Sequence, residues 1–273
     1  MKNIKKYSLA IIAGVGIIST YGTTFVSAAT AGQHDSKSSV EFKQGTTVTP
    51  PVDPEDPDTS IPVVPIDPTD PTNPPGPGTG GPLSIDFASS LAFGKQSISS
   101  KEETYYAHPQ TFASGKTAEN YAQVTDTRGN FAGWTLLVAT DSQFHLDTVD
   151  PTVTDEGSAE VGDYLTGAQL VFSGGHVNTE KGTDSSIYPE EVKTGMYNVS
   201  TAATVIVSAD KNQGMGTWVY GLGKSTDYDS TATTGDAVAT KSPITLCVPG
   251  ATVKKAGTYT TNLNWTLSDT PTN

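Results

Sequence analysis

From Leu83 to Asn273 the chain consists of short runs in which apolar and polar residues alternate, separated by clusters of Gly, Asp and Asn. "LSIDFASSLAF", "AENYAQVTDT", "WTLLVAT", "GAQLVFSG", "STAATVIVS", "TWVYGLG", "ITLCVPG" and "YTTNLNWTL" are of this kind. A period of two places successive side chains on opposite faces of a strand. The Val, Ile, Thr, Tyr and Trp that fill these runs suit a pleated, half-buried surface. No stretch shows an apolar face at helical spacing with caps at its ends. The pattern predicts an all-β domain over 83–273, β-sandwich-like in build. Thr140–Val199 is looser. Its polar stretches "DPTVTDEGSAEVGD" and "NTEKGTDSSIYPEEVKTG" predict long loops, where binding variation tends to sit.

Upstream the texture is different. Residues 50–82 hold 12 of the chain's 18 prolines, six acids and no base. Such a segment is not expected to build a core. Proline favours polyproline II and the acids repel, so an extended Pro/Asp-rich spacer is expected, reaching roughly 100 Å at about 3.1 Å per residue. Residues 29–49 form an N-terminal segment in which Val40 and Phe42 alternate with polar neighbours in "SSVEFKQGTT" (38–47). That is either a short strand able to cap a sheet edge or a disordered tail.

Residues 1–28 read as a signal peptide. "MKNIKK" is basic, Leu9–Ile18 is apolar, and Val26-Ser27-Ala28 is a small-residue cleavage signal. The apolar run is short for a membrane span. Export is therefore expected, and removal of Lys2, Lys5 and Lys6 takes the formal net charge from -13 to -16. An acidic balance of this size argues against a nucleic-acid partner. The single cysteine, Cys247, excludes an intrachain disulfide framework. Placed among Ile244, Leu246 and Val248, it reads as a small buried apolar residue and not a reactive thiol. No LPxTG-like sorting sequence is present, so a covalent sortase link is not expected.

Motifs for chemistry are sparse. His34, His108, His145 and His176 show no metal-ligand spacing, and no acidic loop has EF-hand spacing. "GLGKST" (221–226) resembles the end of a phosphate loop, but Trp218 stands where the first glycine is required. A glycine-rich turn is the better reading. There is no G-x-S-x-G, and nothing singles out a pair of carboxylates. Neither an enzyme nor a cofactor nor a metal site is expected.

Two features remain. The single arginine, Arg128, sits in "VTDTRGNFAGWTL", where Asp126, Gly129 and Asn130 predict a tight turn. Its guanidinium could pair with Asp126 or Asp269, or hold a ligand carboxylate; the structural pairing is favoured. The second feature is a repeated tripeptide, Trp134-Thr135-Leu136 and Trp265-Thr266-Leu267. In strands, Trp134 and Leu136 share a face, as do Leu263, Trp265 and Leu267, with Asn264 and Thr266 opposite. Laid side by side, two such strands would put both tryptophans on one face, either as a core wall or as platforms for sugar rings. The same-face leucines favour the core.

These pieces together resemble the WxL cell-wall surface proteins of low-GC Gram-positive bacteria. The resemblance rests on the signal peptide, the acidic Asp-Pro segment, "LSIDFASSLAFG", "YYA", "VTDTRG", "GWTLLV", "VPG" and the closing "YTTNLNWTLSDTP". It implies an exported protein held non-covalently at the cell surface, with peptidoglycan as ligand. It also implies membrane-anchored surface proteins as partners and, in some complexes, contact with host matrix or environmental polysaccharide. The motif residues it carries over are Trp134, Thr135, Leu136, Trp265, Thr266 and Leu267; Arg128, Asp126 and Asp269, read from the turn itself, are the candidate polar support beside them. Cys247 lies where the family pattern leads one to expect a small residue other than cysteine.

Overall fold

The structure is a computed structural model that describes residues 32–150, 152, 160–233 and 235–271. The expected signal peptide lies outside the described residues. The chain divides into two compact units, Met1–Glu41 and Phe42–Asn273. In the first, residues 32–41 have no regular secondary structure. The strand expected at 38–47 does not form: Val40 is 75% and Phe42 88% exposed. Two alternating apolar side chains stabilise a strand only where a sheet buries them.

The second unit is built of antiparallel strands. In chain order they are β1 (Pro65–Ile66), β2 (Leu83–Ala88), β3 (Glu103–Tyr106), β4 (Gln110–Phe112), β5 (Thr117–Ala118) and β6 (Asn120–Asp126). Next come β7 (Trp134–Thr140), β8 (His145–Leu146), β9 (Gln169–Phe172), β10 (Gly175–Thr179), β11 (Glu191–Val192) and β12 (Tyr197–Val199). Then follow β13 (Thr204–Ala209), β14 (Gly216–Leu222), β15 (Ile244–Val248), β16 (Tyr259–Thr260) and β17 (Leu263–Ser268). No α-helix occurs among the described residues, only 3-10 turns at Ser185–Ile187 and Ser225–Asp227.

The all-β expectation holds, but the sandwich does not. Three four-stranded sheets, β10-β14-β6-β2, β11-β13-β7-β17 and β12-β9-β15-β3, are joined by two small ones, β1-β4-β5 and β16-β8. The arrangement is a propeller-like ring of small sheets. One core cluster draws Val124 and Trp218 from the first sheet, Trp134 and Ile206 from the second, and Phe172 and Ile244 from the third. Strands of two to seven residues, cut by Gly and Pro, are too short to cover one another as two broad layers, so the apolar faces converge from several sides.

The expected spacer is the largest departure. Its first half packs against the domain instead of extending from it. Val52 is fully buried with Phe87, Phe112, Tyr121 and Val219. Gln123 receives the Val52 N–H on its Oε1 at 2.8 Å and donates from Nε2 to the Pro50 carbonyl at 3.1 Å. Proline lacks an N–H, yet its carbonyl still accepts, so the segment can be tied down through acceptors alone. β1 pairs with β4, and Thr79 N–H reaches the Ile85 carbonyl at 2.8 Å. The compact unit therefore begins at Phe42 and not at residue 83.

Two smaller expectations change as well. Cys247 is half-buried, on the face of β15 opposite Ile244, Leu246 and Val248, with its Sγ 3.7 Å from Thr104 Oγ1. The alternation that made it look apolar is what turns it outward. The stretch 140–199 is only partly loop: it supplies β8 to β12, and the expected loop at 178–195 contains β11 and a 3-10 turn. Most of the other expected loop, 150–163, lies outside the described residues.

Candidate functional site

The two Trp-Thr-Leu triplets lie on neighbouring strands of one sheet. β7 and β17 run antiparallel, pairing Leu136 with Leu267, Val138 with Trp265 and Thr135 with Ser268. Paired residues project to the same face of a sheet. Trp134, Leu136 and Val138 are buried in the core, and Leu263, Trp265 and Leu267 pack against it half-buried. Asn264 and Thr266 point the other way and are exposed. Both tryptophans thus face inward, as their leucine neighbours suggested. They differ in depth because β7 is flanked on both sides, by β13 and β17, whereas β17 is the edge of its sheet.

Trp134 is 1% exposed, and its ring N–H donates to the Gly214 carbonyl at 2.8 Å. A buried indole needs such an acceptor. Gly214 has a φ of 73°, and a Cβ there would lie 2.4 Å from Trp134 Nε1. Glycine is required at this position both for the backbone turn and for the ring's approach.

Arg128 makes the structural pairing. Its Nε and Nη2 donate to Asp126 Oδ1 and Oδ2 at 3.0 and 2.7 Å, a two-point fork. Nη2 also reaches the Gly133 carbonyl at 2.6 Å, and Nη1 reaches the Asp269 backbone carbonyl at 3.4 Å. Asp269 therefore bonds through its main chain and not through the carboxylate expected of it, whose charge acts only from a distance. The guanidinium joins the end of β6, the entry to β7 and the exit of β17. With its side chain only 9% exposed, it is occupied as a structural clamp.

Further ties hold β17 at both ends. Thr135, fully buried, donates its hydroxyl to the Thr270 carbonyl at 2.9 Å. At the opposite end Asp141 accepts from Asn262 Nδ2 at 2.6 Å, Asn262 N–H at 3.1 Å and Thr261 Oγ1 at 3.0 Å. Burial works against the charge on Asp141, but the bonds from Asn262, Ser142 and Thr261 hold its pKa below the usual value. Sequence reasoning missed Gly214, Thr270, Asp141 and Asn262. Nothing in local spacing links residues about 80 to 135 positions apart. A "DS" turn after β7 and an asparagine, Asn262, just before β17 are the only hints.

The polar groups of Trp134, Thr135 and Arg128 are spent on holding strands together, while Asn264 and Thr266 stay exposed on the other face. The WxL domain family, described as surface cell wall-binding, has a family model that matches residues 29–271. The chain belongs to the WxL family. Membership implies association with the cell-wall surface, in a binding and not a catalytic capacity. Comparisons with curated proteins and with solved structures returned no match. In this WxL domain Trp134 is sealed in the core, and Trp265, half-buried, packs the edge strand β17 against it. Among the described residues no helix is long and apolar enough to cross a membrane, and no three His, Cys, Asp or Glu side chains are grouped to hold a metal.

Proposed function

We propose that this WxL protein is exported and attached non-covalently to the cell wall, with peptidoglycan as its ligand. The observation that carries this reading is the family match over 29–271, which spans both motif strands and the docked Pro/Asp segment. The formal charge of -13, or -16 after leader removal, adds a condition. Attraction to anionic teichoic acid cannot drive attachment, since like charges repel within a Debye length of about 10 Å. Recognition then falls to hydrogen bonding and apolar contact with neutral glycan or peptide.

Co-sedimentation of the mature protein with purified sacculi tests this, against an unrelated acidic protein as control. Enrichment in the pellet that persists or grows when teichoic acid is stripped supports the reading. No enrichment, or its loss on stripping, overturns it.

A second reading is favoured by the edge position of β17. Its outer side has no strand partner among the described residues, and an unpaired edge can accept a strand from another chain. On this reading the domain binds a surface protein, such as a membrane-anchored one, and reaches the wall or host matrix through it. The purified protein would then ignore sacculi, and a pull-down would recover the partner.

A further inference from the structure

Away from the motif sheet, four connections converge on one cleft. They are the end of β3 at Tyr106, the β9–β10 turn at 173–174, the loop after β14 at 223–227 and the approach to β15 at 240–243. The cleft has a volume of about 450 Å³, within the range of small-ligand sites. The loop after β14 is the "GLGKST" stretch, which contributes Gly223 and Thr226 to the lining.

The bonding capacity of this lining is unevenly used. Ser173 donates its hydroxyl to the Pro243 carbonyl at 2.8 Å. Lys241 Nζ donates to the Thr226 carbonyl at 2.7 Å, which turns the cation onto the backbone. Asp227 Oδ2 accepts the Lys224 N–H at 2.9 Å, leaving Oδ1 without a protein donor among the described residues. Ser242 Oγ accepts from Ile244 N–H at 3.1 Å and keeps its own proton to give. The hydroxyls of Tyr106 and Thr226 have no protein partner among the described residues. An aromatic ring, three hydroxyls able to donate and one carboxylate oxygen therefore belong to residues that line an open, shallow cleft.

This set matches a ligand with many hydroxyls and amides and no net charge. The hydroxyls both donate and accept, the carboxylate oxygen accepts from a sugar O–H or an acetamide N–H, and the half-buried Tyr106 ring can lie against the apolar face of a pyranose. The carboxylate and the engaged Lys241 disfavour a phosphate. The geometry points to this cleft as a subsite for a neutral, acetamide-bearing sugar unit of the wall glycan. The inference rests on the wall-binding reading and names where that ligand sits: at the loop end of two sheets, remote in sequence from both Trp-Thr-Leu triplets.

The test uses the full mature chain, its Thr226→Ala and Tyr106→Ser variants, sacculi, and a soluble β-1,4-linked N-acetylglucosamine oligosaccharide. Thermal melts first establish that each variant folds; Asp227→Asn, which keeps an acceptor for the Lys224 N–H, serves if either does not. The expected result is that the oligosaccharide shifts the amide NMR signals of Gly174, Gly223 and Ser242, and that folded variants lose about tenfold in sacculus affinity. Wild-type affinity for sacculi in folded variants, with those amide signals unmoved, overturns the cleft while leaving wall binding in place. A wild-type protein that binds neither sacculi nor the oligosaccharide overturns both.

Discussion

Leu136 and Leu267, the leucines of the two Trp-Thr-Leu triplets, stand directly opposite one another in antiparallel register. Because β17 runs against β7, this pairing offsets the tryptophans: Trp265 lies beside Val138, while Trp134 lies beyond the paired stretch of β17. One ring is sealed in the core and the other sits at the sheet edge.

The two rings should therefore respond differently to truncation. Trp134→Ala removes a fully buried side chain and leaves the Gly214 carbonyl unpaired, at an expected cost of about 3–5 kcal/mol. Trp265→Ala, at the half-buried edge, should cost about 1–2 kcal/mol and leave the protein folded. Urea denaturation measures both. Equal losses would show that the edge strand is as deeply committed as its neighbour.

Arg128 clamps three segments through one fork. Asp126→Ala leaves a nearly buried guanidinium without its carboxylate and is expected to cost about 3–5 kcal/mol. Arg128→Lys keeps the charge but loses the two-point geometry, and should loosen β17 in particular. Hydrogen exchange at 263–268 should accelerate in that variant more than exchange in β6. Uniform acceleration would mean the clamp acts globally.

Buried Glu119 and partly exposed His176 form a pair, with His176 Nε2 3.1 Å from Glu119 Oε1. A Cβ on Gly221 would fall 2.1 Å from that oxygen, so glycine leaves the room the pair needs. Burial raises the Glu119 pKa above 4.5 despite the histidine; the bond from Glu119 raises that of His176 above 6.5 despite burial and nearby Lys224. Asp53 and Glu55 also face Glu119 and push in the same direction. Both folded-state values exceed the unfolded ones, so the folded protein binds more protons. The stability from His176 is fully present below pH 6.5 and is lost as pH rises through its folded value. The melting temperature should fall as pH rises from 6.5 through the folded value of His176, and His176→Gln should flatten that decline. A wild-type curve that is flat or rising there would remove the pair from the account.

The docked Pro/Asp segment should behave as part of the fold. Val52→Ala is expected to destabilise the domain by about 1–2 kcal/mol, since its side chain fills a cluster with Phe87 and Tyr121. Limited proteolysis should spare 50–66 and cut within 69–77, where residues are mostly exposed. Rapid cleavage at Val52 or Val63 in the native protein would restore the extended spacer.

Some of this was legible in the residues. Alternation announced strands at β6, β7, β13, β14 and β17, because a strand turns successive side chains to opposite faces. The leucines flanking each tryptophan announced which way the rings face. The turn around Arg128 announced a structural pairing, with Asp126 or Asp269, and the structure chose the Asp126 carboxylate. Composition misled at residues 50–66: few apolar residues looked like no core, yet Val52 and Val63 complete a cluster whose other members are distant in sequence. The cleft was equally hidden, since its four connections run from Tyr106 to Pro243.

The sequence by itself determined the strand class, the inward face of each motif strand and the family. The first two depend on neighbours one to four positions away, and the family on short motifs spread along the chain. Only the tertiary structure decided that the sheets form a ring, that the proline segment folds back, and that β17 is an edge whose tryptophan stays half in solvent. Each of these depends on which distant strand supplies the missing hydrogen bonds and covers the remaining apolar surface, and no local pattern encodes that partner.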